Sequence, residues 1–286
     1  MPLVSIIMNC HNCGQYLSQA LESVYQQIFK DYEIIFWDNK STDNSSKIAL
    51  SYGAPLRYFR GEEFLPLGAA RNLAIKEAQG KYVAFLDCDD IWLPEKLEIQ
   101  CKLLESNEKL GLVYSDSYMI DSNGNLRNGT CFETLRPFRG NALNKLLLNN
   151  FIPLLTVVVR KQVLNKEGIF NPKYEMAEEY DLWLKIARSY SIDYVEQPLA
   201  KYRIHNESST QRNVALLYPE ILQIIDYWLK EKPELKRELG REIKRRKVLI
   251  NRAMVISAIM LVYKHKNMKS IKEFGELIGN LLLSRH

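Results

Sequence analysis

Through the first hundred residues, short apolar runs alternate with stretches in which apolar positions recur every three or four. Strands are predicted at Leu3–Met8, Glu33–Trp37, Leu56–Phe59 and Tyr82–Leu86, with helices at about Tyr16–Gln27, Thr42–Tyr52 and Leu67–Ala78. Strand and helix in strict alternation specify an α/β fold, a mostly parallel sheet flanked by helices. The pattern continues with a helix near Glu95–Ser106, a strand at Leu112–Tyr118, a turn at DSNGN and a Gly/Arg-rich loop over 127–140. A strand LLTVVVR (154–160) then precedes AEEYDLWLKIARSY, whose Leu182, Leu184, Ile186 and Ala187 fit one helix face. From about Val214 the chain reads as helix throughout, with breaks at EKPELK and KHKNMKS. The expected division is 1–210 as one domain, with halves of about 1–110 and 111–210, followed by a helical segment over 211–286.

In open α/β sheets ligands bind beyond the carboxyl ends of the strands, near a topological switch point. That rule directs attention to the loops NCHNCG, DNKSTD, RGEEFLPLGAARN and DCDD. The last puts Asp87, Asp89 and Asp90 within four positions, and like charges so close raise one another's pKa unless a cation intervenes. Asp87 and Asp89, two apart on a turning backbone, can aim together at one hard divalent ion such as Mn²⁺ or Mg²⁺, which leaves room for phosphate oxygens. The structural alternative is a turn in which Asp89 or Asp90 caps the helix after Pro94. One cap needs one carboxylate and three are present, which favours the ion. Asp38 and Asn39 could read a ribose or base edge or could form an Asx turn, and Arg71 on GAARN could reach a diphosphate or be solvated.

At 286 residues and 47% hydrophobic, the chain can bury a sizeable core. The net charge of +5 is unevenly spread: Val214–His286 holds 15 Lys and Arg against 8 Asp and Glu, whereas the preceding residues hold 24 against 26. No segment reaches the ~18 apolar residues that span a bilayer, and the N-terminus lacks the basic region of a signal peptide, so a cytoplasmic location is expected. Five cysteines, an odd number, argue against a disulfide framework and make reduced thiols the expectation. Cys10-x-x-Cys13 has the spacing of a thiol oxidoreductase, a reading that leaves the acidic loop unexplained, and zinc wants a further ligand pair.

The blocks PLVSIIMNCHN, DYEIIFWDNKSTDNS, LGAARNLAIKEAQGKYVAFLDCDDIWLPEKLEIQ, AEEYDLWLKIA and YRIHNESS, in this order over residues 2–209, resemble the successive motifs of inverting family-2 glycosyltransferases with a GT-A (Rossmann-like) fold. That resemblance implies transfer of a sugar from a nucleotide-diphosphate donor, a UDP-sugar first, to a hydroxyl acceptor, in the assembly of polysaccharide or another cell-surface glycoconjugate. It implies a hexosyltransferase using Mn²⁺ or Mg²⁺, with Asp89, Asp87 and His205 at the metal. Asn9, His11, Asp38, Asn39, Arg71 and Asp87 fall to the nucleotide, with His11 in place of a stacking aromatic. Glu178 and Glu179 match a Glu-Asp pair whose second member is the catalytic base. Asn39 stands where the family commonly has Asp, Lys40 where it has Gly, and Glu179 reaches one methylene further than Asp. Glu178 beside it is expected to raise the pKa of Glu179 and improve it as a base.

Two other classes compete. A nucleotide-sugar pyrophosphorylase-like nucleotidyltransferase would want a Gly-rich, basic phosphate loop near the N-terminus, and NCHNCGQY lacks one. A catalytically silent sugar-nucleotide-binding module would not need the glutamates. The expected acceptor is a glycan, lipid-linked or protein-linked, shaped by 128–155 and the neighbourhood of Met176. The basic and apolar tail KRELGREIKRRKVLINRAMVISAIMLVYKHK suits either peripheral contact with the inner face of a membrane or a homo-oligomer contact through the C-terminal helices. Nucleic acid is not expected, because the basic residues lack interleaved aromatics.

Overall fold

A computed structural model describes residues 1–205, 208 and 214–265. It divides into two compact units, one of residues 1–173 and 181–205, the other of 174–180 and 206–286.

The first unit is built on one nine-stranded sheet. Its leading strands are β1 (Val4–Cys10), β2 (Tyr32–Asp38), β3 (Leu56–Arg60) and β4 (Tyr82–Phe85), separated by helices α1 (Leu17–Tyr25), α2 (Ser45–Tyr52) and α3 (Leu67–Glu77). These four strands are parallel in the order β3-β2-β1-β4. β1 and β4 are buried almost throughout, which is why they read as continuous apolar runs rather than alternating ones. The chain steps outward from β1 to β2 and β3, then returns to the other side of β1 as β4. The switch point therefore lies between the ends of β1 and β4, beside residues 9–13 and 86–90.

Beyond β4 the sheet becomes mixed. β5 (Ile91–Trp92) leads to α4 (Lys96–Ser106), β6 (Leu110–Ile120), β7 (Leu126–Thr130), α5 (Cys131–Leu135), α6 (Leu143–Leu148), β8 (Val158–Arg160), α7 (Lys161–Glu167), α8 (Glu178–Ser189) and β9 (Ser191–Arg203). The order continues β4-β8-β6-β9-β5, with β8 antiparallel to β4 and β6, and β9 parallel to β6.

Several predicted boundaries are corrected. The strand expected over 154–160 opens with a 3-10 turn at Leu154–Thr156, where Thr156 Oγ1 bonds the Pro153 carbonyl and Gln100 of α4 takes the Thr156 carbonyl at 2.7 Å. With its carbonyl bound by a helix, Thr156 is withdrawn from the ladder. The loop expected over 127–140 instead contains β7 and α5, the latter seated by Phe132 N–H donating to Asp116 Oδ1 at 2.9 Å. β9, with Pro198 inside it and register shifts against β6, lacks the alternation that would have marked it. The DSNGN turn does join β6 to β7, with Gly124 at φ 89°, a backbone region that favours glycine.

A buried polar cluster braces the opposite end of the strands. Glu33 accepts from Ser5 Oγ (2.6 Å), Arg57 (2.6 Å) and the Gln79 amide (2.7 Å). A Cβ on Gly80 would stand 2.6 Å from the Ser5 nitrogen, so the turn into β4 can approach β1 only with glycine there. Burial pushes the Glu33 carboxyl up, but the bonds from Ser5, Arg57 and Gln79 together outweigh it and hold the group below its ordinary value. A lowered folded-state pKa contributes stability above the unfolded value and loses it as pH falls through the folded one. Glu33→Gln is accordingly expected to lower Tm at pH 7 and to differ less from wild type near pH 3, as thermal melts across that range would record.

From Val214 on, the described part of the second unit is helical. α9 (Val214–Glu231) and α10 (Pro233–His265) are separated by Lys232 alone, so the break predicted at EKPELK is present. The break predicted at KHKNMKS lies outside the described residues except for Lys264 and His265, which are helical. Ile224, Ile225 and Trp228 of α9 and Leu235, Ile243, Ile250 and Met254 of α10 are buried, and Lys247 pairs with Asp226 across the two helices. Glu220 of α9 accepts the amides of Glu175, Met176 and Ala177 at 2.8, 2.9 and 3.0 Å, fixing the turn that leads into α8.

Candidate active site

The loop after β1 turns sharply, with Asn12 at φ 56°, and is laced to the loop after β2. His11 Nδ1 lies 2.9 Å from the Asn39 carbonyl, Asn12 N–H donates to Ser41 Oγ (3.0 Å), and Thr42 N–H to Asn12 Oδ1 (2.8 Å). The His11 ring is exposed and lies 4.5 Å from that of Phe64. Phe64 is 58% exposed, an isolated aromatic in a polar strand-end loop, and the sequence reading passed over it. Asn9, one step earlier, has both amide atoms buried without a hydrogen-bond partner among the described residues.

The same turn overturns the expectation of reduced thiols: Cys10 and Cys13 form a disulfide. Cysteine counting addresses a whole chain in its compartment, whereas this turn brings two Cα atoms to 5.8 Å, inside the range a disulfide spans. Cys88 lies close by, the three sulfurs falling within 4.8 Å of one another, and its thiol donates to the Asn9 carbonyl. A disulfide sulfur is not a thiolate, so the group is not a ready metal site. Burial and the neighbouring carboxylates push the Cys88 thiol well up.

Asp38 is fully buried. Its Oδ1 accepts from Ser41 N–H (2.7 Å) and its Oδ2 from Tyr58 (2.6 Å) and Arg60 (2.8 Å). Asn39 closes a two-bond pair with the backbone of Leu65, at 2.7 and 3.1 Å. Both side chains thus organise the loops bearing His11 and Phe64. Lys40 adopts φ 63°, the left-handed conformation for which glycine is suited.

The acidic loop lies at the switch point, and each of its carboxylates has a basic neighbour. Arg71 of α3, buried against the ring of Phe170, donates to Asp87 Oδ1 at 2.7 Å. His205 Nε2 meets Asp89 Oδ2 at 2.9 Å, and the His205 ring lies 5.1 Å from that of Tyr16. Asp90 Oδ1 accepts the backbone amide of Arg203 at 2.8 Å. The helix after Pro94 begins at Lys96 with no side-chain cap, so neither Asp89 nor Asp90 is used there. Arg203, 1% exposed, is the hub: its Nε donates to the Asp89 carbonyl (2.7 Å) and its Nη2 to Gln19 (2.7 Å), while its guanidinium sits 4.4 Å from the Tyr16 ring centre. It too escaped the sequence reading, although it stands two residues before His205.

Burial and then the charge of Asp87 raise the Asp89 pKa, opposed by the hydrogen bond from His205. Burial, then Asp89 and Asp87, push Asp90 further up. Asp87 and Asp89 remain 36% and 31% exposed at their side chains, so carboxylate oxygens are still available at the surface. Two partly open carboxylates and an imidazole have the hard, oxygen-rich chemistry that Mn²⁺ or Mg²⁺ takes, although the three side chains do not bring their ligand atoms within 4.8 Å of one another in this arrangement.

Glu178 and Glu179 open α8, within the second unit. Glu178 is buried and Glu179 half-buried. The turn before them is the one that Glu220 clamps, a function no spacing in the sequence announces.

A parallel β3-β2-β1-β4 sheet flanked by helices, continued by a mixed half beyond β4, is the α/β arrangement of the GT-A class. The profile of Glycosyl transferase family 2 matches residues 5–167, and the chain belongs to that family. An uncharacterized glycosyltransferase of Methanocaldococcus jannaschii is 33% identical over 216 residues, 73% of each chain. An uncharacterized glycosyltransferase of Rickettsia conorii is 34% identical over 219 residues, which make up 73% of this chain and 35% of that protein. The Escherichia coli UDP-Glc:alpha-D-GlcNAc-diphosphoundecaprenol beta-1,3-glucosyltransferase WfgD is 31% identical over 209 residues, 72% of this chain and 79% of that one. Among solved structures, Staphylococcus aureus TarS superposes with a TM-score of 0.69 at 18% identity, over 100% of this chain and 49% of TarS. The Pyrobaculum calidifontis mannosyltransferase PcManGT, in complex with GDP-Man and Mn²⁺, superposes at 0.66 with 16% identity, over 100% of this chain and 88% of its own. At such identities the two structures establish the GT-A fold.

Proposed function

We propose that this protein is a metal-dependent, inverting hexosyltransferase that moves a sugar from a UDP-sugar to a hydroxyl acceptor in cell-surface glycan assembly, on the cytoplasmic side. The observation that carries this reading is the acidic loop: Asp87 and Asp89, partly open, at the β1/β4 switch point with His205 against one of them. Asp89, Asp87 and His205 would hold Mn²⁺ or Mg²⁺, and PcManGT, of the same fold, is known with Mn²⁺. Such an ion, when bound, offsets the negative charge that develops on a departing diphosphate.

The chain's own residues do the rest. His11 and Phe64 offer ring faces to a base. Asn9, with its amide unsatisfied, offers a donor and an acceptor to the nucleotide. Arg71 holds Asp87 in place from behind. Glu179, by its match to the family's base, takes the proton of the acceptor hydroxyl, and attack opposite the leaving diphosphate inverts the anomeric carbon. The donor assignment draws on the UDP-Glc named for the E. coli relative, and a lipid-linked acceptor on the diphosphoundecaprenol named there. Asn128, within the region expected to shape the acceptor side, lines a surface cavity of about 510 Å³ with Met119, Leu126, Arg127 and Ile204.

A screen of UDP-, GDP- and dTDP-sugars, reading nucleoside-diphosphate release with Mn²⁺ and with chelator, tests the proposal. Release of UDP that needs the ion supports it. Formation of a nucleoside triphosphate from donor and pyrophosphate would instead identify a nucleotidyltransferase, and donor binding without turnover under any acceptor would identify a silent binding module.

A further inference from the structure

The second unit carries a surface that sugar transfer does not use. On α10 the buried residues Leu235, Ile243, Ile250 and Met254 follow one helical stripe. The other side is exposed, and it is cationic and apolar together. Arg241, Arg245, Val248, Arg252 and Ile256 recur at intervals of four, three, four and four, which keeps them on one face, with Lys244 and Leu249 at its margins. All seven are exposed; Val248, Leu249 and Ile256 are 45%, 63% and 56% accessible. From Ile243 to Ser257 the helix holds Lys244, Arg245, Arg246, Lys247 and Arg252 and no acidic residue. Arg246 and Lys247 are turned to internal partners, Tyr180 and Asp226. Lys244, Arg245 and Arg252, like Arg241 before them, have no ion-pair partner among the described residues.

We infer that this face of α10 docks the protein on an anionic lipid surface. The side chains supply both interactions such a surface rewards: apolar groups that enter the headgroup boundary, and long cationic stems that lay their methylenes along it while the charges meet lipid phosphates. A second copy of the chain is a poorer occupant, because an isologous contact would set this cationic column against itself, and the cores of protein interfaces are depleted of charge. Nucleic acid is poorer too, since no aromatic side chain is interleaved in the column. Among the described residues no helix is long and apolar enough to cross a membrane, so the contact is of a helix lying on the surface. The inference does not depend on the sugar-transfer reading, and binding can be measured without turnover.

The test is sedimentation of the full chain with vesicles of phosphatidylglycerol in phosphatidylcholine, beside vesicles of phosphatidylcholine alone. The protein is expected to pellet with the anionic vesicles only, and to be released at about 0.5 M salt, where exposed charges are screened within a few ångströms. Each cation near such a surface is worth roughly fivefold in affinity, so the charge-reversal variant R241E/R245E/R252E should bind about 10²-fold more weakly or worse. V248S/L249S/I256S should also bind more weakly while keeping its salt dependence. Both variants should retain donor turnover on a water-soluble acceptor and the wild-type circular dichroism, which separates lost docking from lost folding. Equal binding to neutral and anionic vesicles, or undiminished binding by the charge-reversal variant, would overturn the inference. So would a concentration-dependent dimer, seen by light scattering, that the same variant dissolves.

Discussion

Asp89→Ala is expected to lower kcat/KM for the sugar donor by about 10²–10³-fold, the range found when one electrostatic stabiliser of a developing anion is removed. The substitution takes away the carboxylate on which His205 rests and one of the two partly open acids at the switch point. Donor affinity measured with Mn²⁺ should fall with it. Asp90 provides the internal control, for its Oδ1 faces the backbone amide of Arg203 within the protein, an acceptance that Asn can repeat. Asp90→Asn should therefore keep turnover within a few-fold of wild type. His205→Ala should raise the Mn²⁺ concentration needed for half-maximal rate without abolishing turnover. Near-normal turnover in Asp89→Ala would remove the metal assignment altogether.

Glu179→Gln should have an effect of similar or greater size through a different step. Loss of a general base costs about 10²–10⁴-fold, and the amide keeps the volume and much of the polarity of the acid while giving up its basicity. The loss should fall on kcat, with donor affinity and the Mn²⁺ requirement unchanged. Calorimetry of donor binding then distinguishes the two variants: Asp89→Ala loses binding and Glu179→Gln keeps it. Retention of kcat in Glu179→Gln would send the search for the base elsewhere.

How far the sequence carried these assignments depends on the range of the interactions involved. β1, β2 and β4 were legible because central parallel strands are apolar on both faces, and the edge strand β3 by its place in the strand–helix alternation; once they were placed, the switch-point rule selected the loops after β1 and β4 without further information. Side-chain partners were less accessible. Arg71 is turned onto Asp87 from 16 residues away, and Arg203 reaches the acidic loop across 113, separations that no local pattern encodes. Asp38 and Asn39 stand at the predicted strand end, yet whether such groups face a ligand or the neighbouring loop depends on Tyr58, Arg60 and Leu65, which spacing does not reveal. The Cys10–Cys13 bond required the backbone at Asn12 to turn left-handed, an event one residue wide. β9 was missed because its polar residues and Pro198 obscure the period of two.

The long reach from the acidic loop to its partners bears on how the protein is made. Arg203 and His205 leave the ribosome more than a hundred residues after the acidic loop, so during synthesis Asp87 has Arg71 within reach while Asp89 and Asp90 wait for the strand that brings their partners. The acidic loop thus reaches its final arrangement only once β9 has docked beside β6. A ligand that recognised only the finished loop would shift folding toward it by mass action and so favour completion of the chain's own maturation.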